Sequence, residues 1–165
     1  MLPILYPSTE TQFDTNGLGA LADAVRCVVT EERNGLFELE LDYPITGLHY
    51  AEIALRCLIL AKPNPVDDAQ PFRVYRITRP MNGVVTVYAQ HLSYDLAGIP
   101  AQPFTAPNAP AAMAALKANA VTPCPFTFWT DKTTAAAMTN AVPASIRSLL
   151  GGVRGSVLDV YGGEY

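Results

Sequence analysis

In Val25-Arg26-Cys27-Val28-Val29-Thr30-Glu31-Glu32-Arg33-Asn34-Gly35-Leu36-Phe37-Glu38-Leu39-Glu40-Leu41-Asp42-Tyr43-Pro44, apolar side chains recur at every second position on both sides of an Asn-Gly pair. Side chains alternate between the two faces of a strand, so this period of two predicts two strands. Asn-Gly supplies the left-handed backbone that a tight turn needs, and the pair therefore predicts a hairpin. Phe37, Leu39, Leu41 and Tyr43 fall on one face and Glu38, Glu40 and Asp42 on the other. Such a strand belongs to a sheet with one buried and one exposed face.

The flanking sequence repeats the pattern. Leu2 to Tyr6 is a short apolar run closed by Pro7, which predicts an opening strand, and Ser8 to Ala24 reads mainly as loop. His49 to Leu55 predicts a helical turn and Arg56 to Ala61 an apolar strand. Phe72 to Thr78 alternates, Pro80-Met81-Asn82-Gly83 turns, and Val84 to Ala89 returns with Val85, Val87 and Ala89 on one face. Strands joined in this way most economically form a small antiparallel barrel or sandwich. Fourteen prolines and eleven glycines suit such a turn-rich fold.

After His91 the grain changes. Leu92 to Ala97 predicts a helical turn and Pro100 to Pro107 an extended segment. Asn108 and Pro110 read as cap and first turn of an alanine-rich helix to about Ala120. Phe126 to Trp129 predicts a strand, Pro143 to Leu150 a helix stopped by Gly151, and Val157 to Tyr161 a helix capped by Ser156 and ended by Gly162-Gly163. The expected class is α+β, mainly β. An antiparallel tube-like β-barrel or sandwich module over residues 1–98 precedes a smaller, partial α/β module over 99–165. Gly162 to Tyr165 reads as the entrance to another element, so the chain is expected to be part of a longer polypeptide.

Composition excludes several functions. The net charge is −4 with no basic cluster, which argues against a domain that reads nucleic-acid sequence. Charged residues make up 16% of the chain, against roughly 25% in a typical soluble domain, which hints at surface buried against partners. Cys27, Cys57 and Cys124 have neither zinc-site spacing nor a disulfide framework, and Cys27 and Cys57, both in apolar runs, are expected to be buried and inert. MLPILYPSTE lacks a positive leader, and no window approaches the ~20 apolar residues of a membrane span, so synthesis and folding in a bacterial-type cytoplasm are expected.

Chemistry-bearing groups are sparse. His91, Ser93 and Asp95 carry the residue types of a catalytic relay but lie within one short stretch. A relay needs its base between nucleophile and carboxylate in space, so His91 reads as a structural, hydrogen-bonded histidine. His49 is the other histidine. Glu31-Glu32 and Asp67-Asp68 read as solvated turns, not as carboxylates facing across a substrate gap or as a calcium loop. The Gly-Gly pairs at 151–152 and 162–163 lack a phosphate-loop lysine and read as helix stops. Tyr75, Tyr88, Tyr94 and Trp129 are candidates for a sugar-binding aromatic platform, although aromatics in strands are mostly core or strand-pair residues. No catalytic, cofactor-binding or metal-binding residue is assigned.

The order of short blocks carries a resemblance. Thr30-Glu31-Glu32-Arg33-Asn34-Gly35 with Phe37-Glu38-Leu39 and Tyr43-Pro44 resembles the first hairpin of phage tail-tip (baseplate hub) proteins, a family often described as prophage tail endopeptidase or phage minor structural protein, amino-terminal region. Gln70-Pro71-Phe72-Arg73-Val74-Tyr75 resembles its next strand, and Ala89-Gln90-His91-Leu92-Ser93-Tyr94-Asp95-Leu96 its strand-to-helix corner. Phe126-Thr127-Phe128, Leu150-Gly151, Gly155-Ser156-Val157-Leu158-Asp159 and Tyr161-Gly162-Gly163-Glu164 resemble its later blocks. The blocks fall in the family's order from about residue 30 onward.

The resemblance implies a virion structural protein at the tail tip, made in the cytoplasm of a bacterial host. It implies a tube-like barrel module, a homotrimer around the tail axis, and contacts with distal tail, tube and tape-measure proteins, with DNA only as passing cargo. It supplies no catalytic residue here, and any peptidase or lysin activity is expected outside this chain. Two other readings stay open: a tail-associated peptidase or cell-wall hydrolase, and a host-surface carbohydrate-binding module.

Overall fold

Leu39, Leu41 and Tyr43 are fully buried while Glu38, Glu40 and Asp42 between them are half-exposed, so the alternation read in this strand corresponds to a sheet with two unlike faces. The computed structural model describes residues 1–164; Tyr165, the last residue of the expected second module, lies outside the described residues. The chain divides into two compact units, Met1–Leu92 and Ser93–Tyr165. The division falls a few residues before the boundary expected at 98, because the helical turn Leu92–Gly98 carries Leu96 and leads to Ile99, both members of the second core.

The first unit is one antiparallel sheet, curled into a half-barrel. Its strands are β1 (Ile4–Tyr6), β2 (Gly19–Ala20), β3 (Arg26–Glu31), β4 (Phe37–Pro44), β5 (Leu58–Ala61), β6 (Gln70–Ile77) and β7 (Val84–His91). They lie in the order β2-β1-β5-β6-β7-β4-β3. The sheet is open within the chain. Its edges are the two-residue β2 and the six-residue β3, where a closed barrel would join them. The concave core holds Leu39, Leu41, Ile59, Phe72, Val74, Val85 and Val87. β5 is buried along its whole length because Leu58 and Leu60 face a second cluster with Tyr6, against which Phe13 packs. The Tyr6 and Phe13 rings meet edge-on at 5.2 Å.

Two expectations for this unit change and two are refined. Ser8 to Ala24 is not all loop: β2 pairs Ala20 with Ile4 and Gly19 with Leu5, and Leu21 is fully buried. The turn at Asn34-Gly35 is wider than an Asn-Gly signature suggests. Asn34 has φ 54°, but the ladder closes at Glu32 and Leu36 (2.7 Å), leaving three residues in the loop. The tight two-residue turn forms instead at Asn82-Gly83, φ 53° and 78°, where Met81 and Val84 exchange both backbone hydrogen bonds. Cys57 is buried, whereas Cys27 is exposed, because edge strand β3 has no neighbouring strand on its outer side.

The second unit contains β8 (Pro100–Ala101), β9 (Phe104–Ala106), α1 (Ala109–Ala118), β10 (Met138–Asn140), β11 (Ala144–Ser145), α2 (Ile146–Leu150) and α3 (Val157–Tyr161). β9 pairs antiparallel with β10, and β8 with β11. Short antiparallel ladders beside helices make this an α+β arrangement and not the α/β module expected, since no parallel pair is present among the described residues. Asn108 caps α1 by accepting from Ala111 N at 2.9 Å. Ser145 caps α2, which therefore starts three residues later than Pro143, and Ser156 caps α3.

Phe126 to Trp129 does not form a strand. Phe126 and Phe128 are half-buried against the second core while Thr127 and Trp129 are exposed, so the alternation is real. No ladder partner lies beside it; β9 pairs with Met138–Asn140 instead.

Candidate functional site

The outer face of the first unit concentrates its exposed polar and aromatic side chains. Glu38, Glu40 and Asp42 of β4 stand beside Gln90, Tyr88 and Thr86 of β7, each pair directly opposite in the ladder. Thr86 Oγ1 donates to Asp42 Oδ1 at 2.8 Å, and Arg26 of β3 pairs with Glu40 and, at 3.8 Å, with Asp42.

β6 joins this face through a bulge. The register runs Val74 to Ala89 and then Arg76 to Tyr88, leaving Tyr75 as an extra residue. Tyr75 and Arg76 are consequently both exposed, in succession, where strict alternation would turn one inward. The signal was present in the sequence: Phe72 and Val74 keep a period of two, but the next inward residue is Ile77, three positions on. Reading Phe72 to Thr78 as regular alternation missed it.

The bulge brings Tyr75 to Tyr88, with ring centroids 6.4 Å apart and planes at 40°. Tyr75 Oη donates to Glu38 Oε2 at 3.3 Å, and the Arg76 guanidinium lies over the Tyr88 ring, 4.9 Å from its centre. Thr30, Leu36 and Glu40 complete an open hollow of about 280 Å³. Of the four aromatics expected as a platform, these two come together. Tyr94 and Trp129 belong to the second unit, where Arg147 covers Tyr94 at 3.7 Å and Trp129 is 78% exposed.

No known protein family, curated protein or solved structure matches this chain.

The remaining candidates resolve individually. The His91 ring stacks on Phe37 (4.4 Å, 23°), meets Phe72 edge-on and lies 3.3 Å from Gln70 Oε1 through Nε2. Ser93 Oγ accepts from Arg147 at 3.3 Å in the second unit. His49 bonds Glu52 through Nδ1, and its ring fills the space where a Cβ on Gly19 would sit 2.2 Å from Nε2, so it packs directly against β2. Glu31 and the pair Asp67-Asp68 border one hollow of about 300 Å³ with Phe37, Pro63 and Gln70, a proximity their separation in sequence does not suggest. Asp67 is partly engaged there: its carboxylate accepts from Asn64 Nδ2 at 2.6 Å. No group of three His, Cys, Asp or Glu placed to hold a metal ion occurs among the described residues. Gly151 and Gly162 follow the last turns of α2 and α3, their N–H groups donating to Arg147 O and Leu158 O.

Three phenols are shifted upward: Tyr43 and Tyr75 by desolvation and then by the nearby Asp23 and Glu38 carboxylates respectively, and Tyr161 by desolvation. Raised folded values favour the neutral phenol in the fold. Their contribution to stability is therefore complete below the ordinary phenol range near 10 and is lost as pH rises through the folded values. The expected result is a thermal midpoint that falls above about pH 10, in step with late tyrosinate absorbance. All eight tyrosines ionising at or below their ordinary pH in the native protein would count against this assignment.

Proposed function

We propose that this chain is a structural component of a phage or prophage tail tip, a baseplate hub element that joins tail tube to tip and forms part of the conduit for DNA delivery. The observation that carries the reading is the open half-barrel sheet with β3 exposed at its edge, taken with the ordered blocks from the Asn34-Gly35 hairpin to Gly162-Gly163-Glu164. A curled sheet that stops short of closure leaves backbone donors and acceptors unpaired, and a ring of copies or neighbouring tail proteins is one way to satisfy them. The low charged fraction suits such burial, and the net charge of −4 suits a channel through which DNA passes without adhering. No helix among the described residues is long and apolar enough to cross a membrane.

Parity in the ladder makes the edge testable. Glu32 N–H bonds Leu36 O, so the even residues of β3 bond to β4 and the N–H and C=O of Cys27, Val29 and Glu31 point away from it. Val29→Pro removes an outward donor and spares the β3–β4 ladder. Averaged images of the full-length gene product are expected to show a threefold ring that Val29→Pro disrupts while the circular dichroism spectrum is kept. A full-length product that stays monomeric at micromolar concentration overturns the proposal.

A further inference from the structure

We propose that the hollow on the outer face of β6 and β7, built by Tyr75, Tyr88, Arg76 and Glu38, is a binding subsite for one pyranose unit of a polysaccharide. The inference does not rest on the tail-tip reading, since it concerns side chains on the outer face of the sheet and not the unpaired backbone groups of its edge, although Thr30 of edge strand β3 also lines the hollow.

Three observations carry it. First, the bulge between Val74 and Arg76 turns Tyr75 outward beside Tyr88, at the cost of a ladder position. Bulges recur where a strand re-aims a side chain next to a site. Tyr75 remains 45% exposed, which leaves part of its apolar ring in contact with water.

Second, the polar groups around the rings comprise both donors and acceptors. Glu38 presents carboxylate oxygens, Tyr75 and Thr30 hydroxyls, and Arg76 guanidinium N–H groups. A pyranose has an apolar C–H face that lies on an aromatic ring, and a rim of hydroxyls that both donate and accept. The hollow offers the same two components.

Third, charge disfavours the chief competitor. A cationic peptide would need free carboxylates and an open ring face. Glu40 is already paired with Arg26. Arg76, which lies over Tyr88, brings a positive charge to the hollow that repels a cation but can donate to a sugar hydroxyl, leaving Tyr75 as the ring open for stacking. At about 280 Å³, just below the usual range of roughly 300–1,000 Å³ for small-molecule pockets, the open hollow has room for one sugar ring.

The test is titration of the ¹⁵N-labelled chain with tetrasaccharides of glucose, galactose and N-acetylglucosamine, with tetralysine as the cationic control. At least one sugar is expected to give saturable amide shifts centred on Thr30, Glu38, Tyr75, Arg76 and Tyr88. Tyr75→Ala is expected to weaken binding by about tenfold. Glu38→Gln, a second variant that leaves the strand intact, is expected to weaken it as well, and Trp129→Ala to leave it unchanged. The proposal is overturned if no sugar gives a saturable shift, if the shifts survive both Tyr75→Ala and Glu38→Gln, if they depend on Trp129, or if tetralysine alone saturates this face.

Discussion

Phe72→Ala is expected to destabilise the first unit by about 3–5 kcal/mol, the largest loss anticipated from a single substitution in this protein. Phe72 is fully buried on β6, paired with Ile59 of β5 on one side and His91 of β7 on the other. Its ring meets Phe37 edge-on at 5.2 Å (89°) and His91 at 5.7 Å (70°), so truncation also removes the support that orients the imidazole. The residual cavity cannot collapse easily because strands fixed by ladder hydrogen bonds surround it. Urea unfolding should show a lower midpoint with an unchanged slope. A loss below about 1 kcal/mol would mean that this aromatic group does not hold β5, β6 and β7 together.

In the second unit, Leu116→Ala is expected to cost about 2–5 kcal/mol. The buried face of α1 consists of Ala109, Ala112 and Leu116, so two of its three contacts are single methyl groups that let the helix approach β9 and α3 closely. Leu116 is the one large side chain of the helix that is fully buried, with Met113 half-buried against the same core. Ala112→Gly, at the same face, should cost only about 1 kcal/mol through helix propensity, apart from the small loss of its buried methyl. Comparable losses for the two variants, measured by denaturant midpoint, would show that Leu116 is not the anchor of this helix.

The first of these predictions bears on function through the sheet it concerns. The Phe72 cluster holds the sheet whose outer face carries the Tyr75–Tyr88 hollow, and that sheet positions the β3 edge on which the tail-tip proposal depends. A substitution at Tyr75, by contrast, lies at the surface and should separate binding from stability, whereas Val29 packs partly against the core, so Val29→Pro should lower stability somewhat as well as disrupt assembly.

Individual residues show where legibility ended. Leu39, Leu41 and Tyr43 announced the buried face of β4 because a period of two admits one arrangement of faces. Asn108 and Ser156 announced their helix starts because capping is a local hydrogen bond. Phe126 and Phe128 announced an alternation without a strand, since pairing requires a neighbour that periodicity cannot specify. Met138–Asn140, three residues without a pattern of their own, became β10 because β9 lay beside them. Cys27 followed its apolar neighbours in sequence but not in burial, because exposure depends on whether a strand is at the edge.

The sequence by itself therefore determined what depends on neighbours within a few residues: strand faces, turn positions and helix caps. Tertiary structure alone decided the strand order β2-β1-β5-β6-β7-β4-β3, the opening between β2 and β3, and the meeting of Tyr75 with Tyr88 and Glu38. Those features depend on which distant segments satisfy each other's backbone hydrogen bonds and bury each other's apolar faces. That choice is made by the whole sheet at once and leaves only indirect marks, such as the three-residue step from Val74 to Ile77, along the chain.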